Sequence, residues 1–295
     1  MKTFIWLLRR EFWEHRAILI APLITAAVIL IGTITQILVQ PAQNPANGPE
    51  KLGNVATLLT MGFALPFFIV NGFVAIFYLM DSLYGERKDR SVLFWRSLPV
   101  SDTAAVSAKL ITALVVAPCL AALTAAATMP LITLVFRLFF AGEHFSALPL
   151  MWNPPNFLSA VVLWSYATAV AVFWFFPVCG WFLAVSAWAP KNPFLWGIVP
   201  PAALLVVEKL VRGGRSWVGE QISDRINGWF PLAFNLHSNA KVVQPGDEHF
   251  VMPAHVLELI DPRPLLASPA LWIGIGVGLL LVFLAVQGRR YRTEA

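Results

Sequence analysis

The densest run of chemistry-bearing residues in this 295-residue chain is Leu83–Asp102, LYGERKDRSVLFWRSLPVSD. Tyr84, Glu86, Arg87, Asp89 and Arg90 open it with polar and charged groups suited to ion pairing. Phe94, Trp95 and Arg96 follow, an aromatic–arginine composition of the kind found at protein-binding hot spots. A solvated loop has no use for exposed Phe and Trp, so the segment is either a docking surface or a stretch held in the membrane interface. Neither is catalysis. No G-x-S-x-G, H-E-x-x-H or Gly-rich dinucleotide loop occurs, and no G-x-x-x-x-G-K-[ST] phosphate cradle is present. His249 and His255, with Asp247 and Glu248 nearby, match no standard zinc spacing. Spacing along the chain shows no cluster of nucleophiles or acids at bilayer depth. No catalytic residue and no metal site are expected, and Cys119 and Cys179 read as small buried apolar residues.

The elements that position this run are apolar. Charged residues make up 13% of the chain, against roughly 25% in a soluble domain, and the mean hydropathy is +0.70. Six runs approach or exceed the about 20 apolar residues that a bilayer-crossing helix needs. They are centred on Ala17–Val39, Val55–Met80, Ala104–Phe136, Phe157–Trp188, Phe194–Val211 and Ala267–Gln287. The expected fold is an all-α integral membrane protein with six transmembrane helices. The third run is longer than a bilayer requires and is expected to protrude or to bend near Pro118 and Pro130.

Residues 1–16 read as a helix on the membrane surface. Phe4, Ile5, Leu8 and Phe12 share one face, Lys2, Arg9 and Arg16 another, and His15 projects toward the apolar side. Residues 17–295 form the six-helix domain. Thirteen of the twenty-one Lys and Arg residues fall on the N-terminal side of the spans, Lys109 counted among them. The positive-inside rule then places both termini and the charged loop, 81–103, in the cytoplasm. Segment 212–266, between spans five and six, lies outside. Within it Ser216–Phe230 is spaced as an amphipathic helix, and His255–Ile260 suits a second short one. The net charge of +5 reads as topology signal and lipid-headgroup contact, with no nucleic acid implied.

Polar groups inside the spans are sparse. The near absence of charge from the middle of each span argues against an ion-coupled carrier and for a hydrophobic or amphipathic cargo. Asn71 is the main polar residue of the second span, with Phe67 and Phe68 one turn away. It suits an interhelical hydrogen bond or a place on a substrate path. Glu208, near the outer end of the fifth span, suits a helix-end side chain reaching for the interface.

Two stretches carry a family resemblance. Tyr84-Gly85-Glu86-Arg87-Lys88-Asp89-Arg90-Ser91, continued by Phe94-Trp95-Arg96-Ser97-Leu98-Pro99-Val100-Ser101-Asp102 and Ser107-Ala108-Lys109, resembles the first cytoplasmic loop of permease subunits of type-2 ATP-binding-cassette (ABC) exporters. Gly180-Trp181-Phe182 to Ser186-Ala187-Trp188-Ala189, with Asn192-Pro193-Phe194-Leu195-Trp196 and Pro200-Pro201, is similar to the junction of spans four and five in the same family.

The resemblance implies that the charged loop is a coupling helix seated on a cytosolic ATPase. Glu86, Arg87, Asp89 and Arg90 would pair with the ATPase, and Phe94 and Trp95 would be the apolar anchors. It implies a dimer of permeases with two copies of a separate P-loop ATPase, which holds the ATP and Mg while this chain binds no cofactor. It implies residence in a bacterial inner membrane, residues 1–16 as a connecting helix, short helices outside, and a polar outer gate near Glu208. A non-transporting membrane sensor or assembly module linked to such an ATPase would use the same loop.

Overall fold

The computed structural model describes residues 2–39, 62–91, 100–139, 154–214, 216–235 and 259–292. The described residues are helical, apart from turns and an isolated antiparallel bridge between Phe234 and Ile260. Among the described residues, six helices are long and apolar enough to cross a membrane.

Helix α1 is Lys2–Glu14 and α2 is Ala17–Val39. They are nearly continuous, joined where the His15 N–H still reaches the Glu11 carbonyl. The second span is α3, Leu65–Lys88, which begins on Pro66, where a missing N–H costs nothing. Of the second run read from sequence, residues 55–61 lie outside the described residues.

The third span is α4, Asp102–Ile111, then a π-helical turn, Thr112–Val116, then α5, Ala117–Phe139. The bend expected near Pro118 takes this form. Proline cannot donate to the Leu114 carbonyl and its ring crowds that group, so the chain winds one residue wider. The Ala117 N–H reaches five residues back to Thr112.

The fourth run breaks into α6, Pro154–Trp174, and α7, Phe176–Trp188, so the single helix over Phe157–Trp188 is corrected. Pro177 has no N–H for the Phe173 carbonyl, and the break falls at Phe175. The fifth span is α8, Pro193–Val211. Pro201 leaves the Gly197 carbonyl without its helical donor, and the Trp181 indole N–H supplies one at 3.0 Å. Three short helices follow: α9, Trp217–Asn227, α10, Trp229–Ala233, and α11, Arg263–Ala267. The amphipathic stretch read over 216–230 is thus helical; most of His255–Ile260 lies outside the described residues. The last span is α12, Pro269–Tyr291.

Helices α7 and α12 run parallel and pack most closely. A Cβ at Gly278 would collide with the Phe176 ring, and one at Gly288 with Ala187 and Trp188. Glycines at these points let two backbones approach as membrane helices often do. A core of Ile18, Tyr78, Leu79, Leu83, Val106, Leu110 and Leu183 ties α2, α3, α4 and α7 together at one end. The far half is held by Phe67, Ala121, Ala125, Met129 and Trp164. At that far end α10 and α11 pack Ala233, Phe234 and Leu265 against Leu163, Trp174 and Leu271. Helix α8 stands at the side, with only Pro193 and Gly197 buried. Cys179 is half-buried, and Cys119 lies on an outward helix face, correcting its expected burial; both are free thiols.

Candidate functional site

Charged side chains from four helices meet at the α1 end of the bundle. Glu11, on the buried stripe of α1 with Leu7, is 2% exposed. Its Oε1 accepts from Lys109 Nζ at 2.9 Å, and its Oε2 from the Tyr78 hydroxyl at 2.8 Å. Lys109 is 1% exposed and lies 3.2 Å from Glu86 Oε1. Glu86 Oε2 faces Arg289 Nη2 at 3.3 Å, and Arg289 Nη1 continues to Asp102 Oδ1 at 2.9 Å. Arg10 stands 3.6 Å from Glu86 Oε1 and 2.7 Å from Glu14 Oε1. The run Tyr78–Glu11–Lys109–Glu86–Arg289–Asp102 thereby bonds α1, α3, α4 and α12.

Local sequence explains the placement. The Ser101 hydroxyl caps α4 by accepting from the Ala104 N–H, and Asp102 sits in the first turn, where the helix dipole favours a negative charge. Lys109 is seven residues on and so returns to the face of Asp102. Tyr78 and Glu86, eight residues apart, lie on the same broad buried side of α3. Glu11 and His15, four apart, share a face of α1 and the turn that follows it, and the His15 ring packs edge-on against Tyr78 with centroids 4.6 Å apart.

Burial pushes the Glu11 carboxyl up, but the Lys109 charge and hydrogen bond, with the Tyr78 hydroxyl, outweigh it and hold the group below the usual carboxylate range. Burial holds the His15 imidazole below its ordinary value of 6.5, against the opposing pull of Glu11. A carboxylate kept charged and an imidazole kept neutral make a fixed electrostatic joint. Glu11, Glu14 and His15 also bring ligand atoms within 4.8 Å of one another. Lys109 and Tyr78 already take the Glu11 oxygens, and Arg10 takes Glu14, so the arrangement is an ion-pair cluster in place of a cation cage.

Spacing along the chain did not announce this cluster. Lys109, counted on the cytoplasmic side from sequence, is buried near the start of the third span. Titratable groups do gather at one end of the bundle, although spacing along the chain hid them. Glu86 is 7% exposed and faces the protein's own interior. The signal for Glu11 and His15 was present, since both lie on the apolar side of residues 1–16. Thr112, three residues past Lys109 and fully buried, begins the π turn, so a hinge-prone segment adjoins the cluster.

Arg87 also turns inward. It is 3% exposed, and its Nη2 donates to the Ser186 and Ala189 carbonyls, each at 2.8 Å. The Ser186 hydroxyl accepts from the Leu83 and Tyr84 N–H groups, both at 3.0 Å. The two stretches that carry the family resemblance therefore touch each other directly. Tyr84 is half-buried beneath the Arg87 guanidinium, while Asp89 and Arg90 are exposed. Phe94, Trp95 and Arg96 lie outside the described residues.

Phe67 is fully buried and Phe68 half-buried. Asn71 is buried, and its Oδ1 has no hydrogen-bond partner among the described residues. Glu208 is held by polar partners at the start of α9. Its Oε2 accepts from the Val218 N–H at 2.9 Å and the Ser216 hydroxyl at 3.0 Å, and Oε1 pairs with Arg212 at 3.2 Å. It anchors the start of α9, where a carboxylate suits the helix dipole.

Six membrane-length apolar helices with buried, paired charge at one end define a multi-pass membrane protein. No protein-family model, curated protein or solved structure matches the chain.

Proposed function

We propose that this chain is the permease subunit of an ABC exporter, moving a hydrophobic or amphipathic compound out across a bacterial inner membrane. Both termini and the 81–103 loop face the cytoplasm, and the working unit is a homodimer with two copies of a separate P-loop ATPase that holds ATP and Mg. The observation that carries the reading is the ion-pair joint around the loop. Chain enters the loop from α3 and leaves it into α4, and Glu86, Lys109 and Asp102 bond those two helix ends to α1 and α12. A force on the loop reaches four helices together, and the π turn after Lys109 is the place where α4 can move relative to α5.

Docking falls to the exposed Asp89 and Arg90 and to Phe94, Trp95 and Arg96. Glu86 and Arg87 hold the loop's base. Phe67, Phe68 and Asn71 are the substrate-path residues of this reading, with the Asn71 oxygen, which has no partner among the described residues, as its polar contact.

The test is affinity purification from native membranes in mild detergent, comparing the wild type with a Phe94→Ala/Trp95→Ala double variant. A P-loop ATPase recovered in about equal amount with the wild type, and lost from a folded variant, is the expected result. Absence of any such ATPase from intact wild-type preparations in several detergents would overturn the reading.

A further inference from the structure

Arg87 and Arg292 meet at the C-terminal end of α7 without an acid between them. Arg87 Nη2 holds the carbonyl of Ala189, and Arg292 Nη1 holds that of the adjacent Trp188, at 2.8 Å each. The two like charges repel. Arg87 is 3% exposed, yet its Nε and Nη1 have no hydrogen-bond partner, and neither arginine has a carboxylate partner among the described residues. The neighbouring Glu86 is turned to the other side, onto Lys109 and Arg289. The other contacts are the Tyr84 ring, 5.6 Å from the Arg87 guanidinium, and the Trp188 ring, 5.0 Å from that of Arg292. A helix C-terminus and two ring faces offset part of two charges, but buried cations ordinarily have an anion.

The site's depth identifies that anion. Arg87 is the next-to-last residue of α3, Trp188 the last of α7, and Arg292 the first after α12. Arg87 and Arg292 sit where membrane-length helices leave the hydrocarbon, with Trp188 at the end of the shorter α7 beside them, at the level of lipid headgroups. The abundant anion at that depth is phosphate, and guanidinium groups are well matched to its oxygens. We propose that Arg87 and Arg292 bind the phosphate of an anionic phospholipid headgroup, Arg292 from the exposed side and Arg87 from within. Such a lipid neutralises the joint between α3, α7 and α12, so its binding stabilises their packing. This holds whatever the chain transports.

The test uses the full-length protein in neutral detergent micelles doped with either phosphatidylglycerol or phosphatidylcholine. Thermal midpoint and lipid retained in native mass spectrometry are read for the wild type, Arg292→Gln, Arg87→Gln and the control Arg9→Gln. Arg9 is exposed at the same end but stacks on Trp6 and Trp13, apart from the site. Phosphatidylglycerol is expected to raise the wild-type midpoint above that in phosphatidylcholine and to be retained. Its binding is expected to weaken about tenfold in Arg292→Gln, whose exposed side chain leaves folding intact, and to persist in Arg9→Gln. Equal behaviour of the two lipids with the wild type overturns the proposal, as does equal weakening in Arg9→Gln, which would mean general attraction of a basic surface. A shift reproduced in full by inorganic phosphate alone overturns the lipid source and assigns the arginines to a free anion.

Discussion

Lys109 and Glu208 each lie near an end of a membrane-length helix, and the fold treats them oppositely. Lys109 is enclosed between two carboxylates, within 2.9 Å of one and 3.2 Å of the other. Glu208 stays at the rim, holding the N-terminus of a helix none of whose side chains is buried. Burying an ion costs several kcal/mol unless opposite charges and hydrogen bonds meet it. The α1 end meets that cost with a ring of partners drawn from four helices, whereas at the far end Glu208 avoids it by staying only half-buried. One end is therefore rigid through charge, whereas the other is an apolar contact of short helices fastened at a few polar points.

That contrast can be broken experimentally. Lys109→Met strands Glu11 and Glu86 without their shared cation, so a loss of about 3–5 kcal/mol is expected in thermal or denaturant unfolding of the detergent-solubilised protein. Adding Glu11→Gln to that variant should recover part of the loss. If Lys109→Met costs no more than Glu208→Gln, the two ends do not differ as described.

Trp181→Phe removes the donor that satisfies the Gly197 carbonyl, and α8 has few other attachments; a loss of about 1–3 kcal/mol is expected in the same measurement. The expected structural sign is protease sensitivity confined to α8. An unchanged cleavage pattern and midpoint would show that Pro201 leaves no carbonyl in need.

A smaller effect should follow pH. The folded value of His15 lies below 6.5, so the unfolded chain binds more protons as the pH falls past that point, and stability drops with acidification. Glu11, Lys109, Asp81 and Glu14 are the charged groups around His15. Glu11 contributes in full near neutrality and loses its contribution only as the pH falls through its lowered folded value. Midpoints recorded from about pH 7.5 to about pH 5 should fall in the wild type and flatten in His15→Gln. Parallel curves for the two proteins would remove His15 from the account. The smallest change is expected in Glu208→Gln: faster amide exchange at Val218 and Gly219 with no measurable shift in midpoint.

Much of the framework was legible in the residues. Apolar runs of bilayer length located the spans, because a lipid solvent demands them regardless of fold. Pro118 announced a distortion and Ser216–Phe230 a helix, since both signals are local. The break at Phe175 was missed because Pro177 sits in an unbroken apolar run, and hydropathy does not register a missing N–H. The inward turn of Glu86 and Arg87 was missed for another reason. Five consecutive charges, Glu86 to Arg90, read as part of a cytoplasmic loop, but α3 continues through Lys88 and carries Glu86 and Arg87 to interior faces.

By itself, the sequence determined that the chain lives in a membrane, how many times it can cross, and where its helices weaken. Those properties depend on side-chain polarity and on backbone donors that proline lacks. Only the tertiary structure decided which charges meet. Lys109 finds Glu11 across 98 residues and Arg289 finds Glu86 across 203. No local spacing encodes such pairs. Lipid-facing and helix-facing side chains are alike in apolarity, so the lateral order of helices rests on close packing at residues such as Gly278 and Gly288 and on the few polar groups that must find partners.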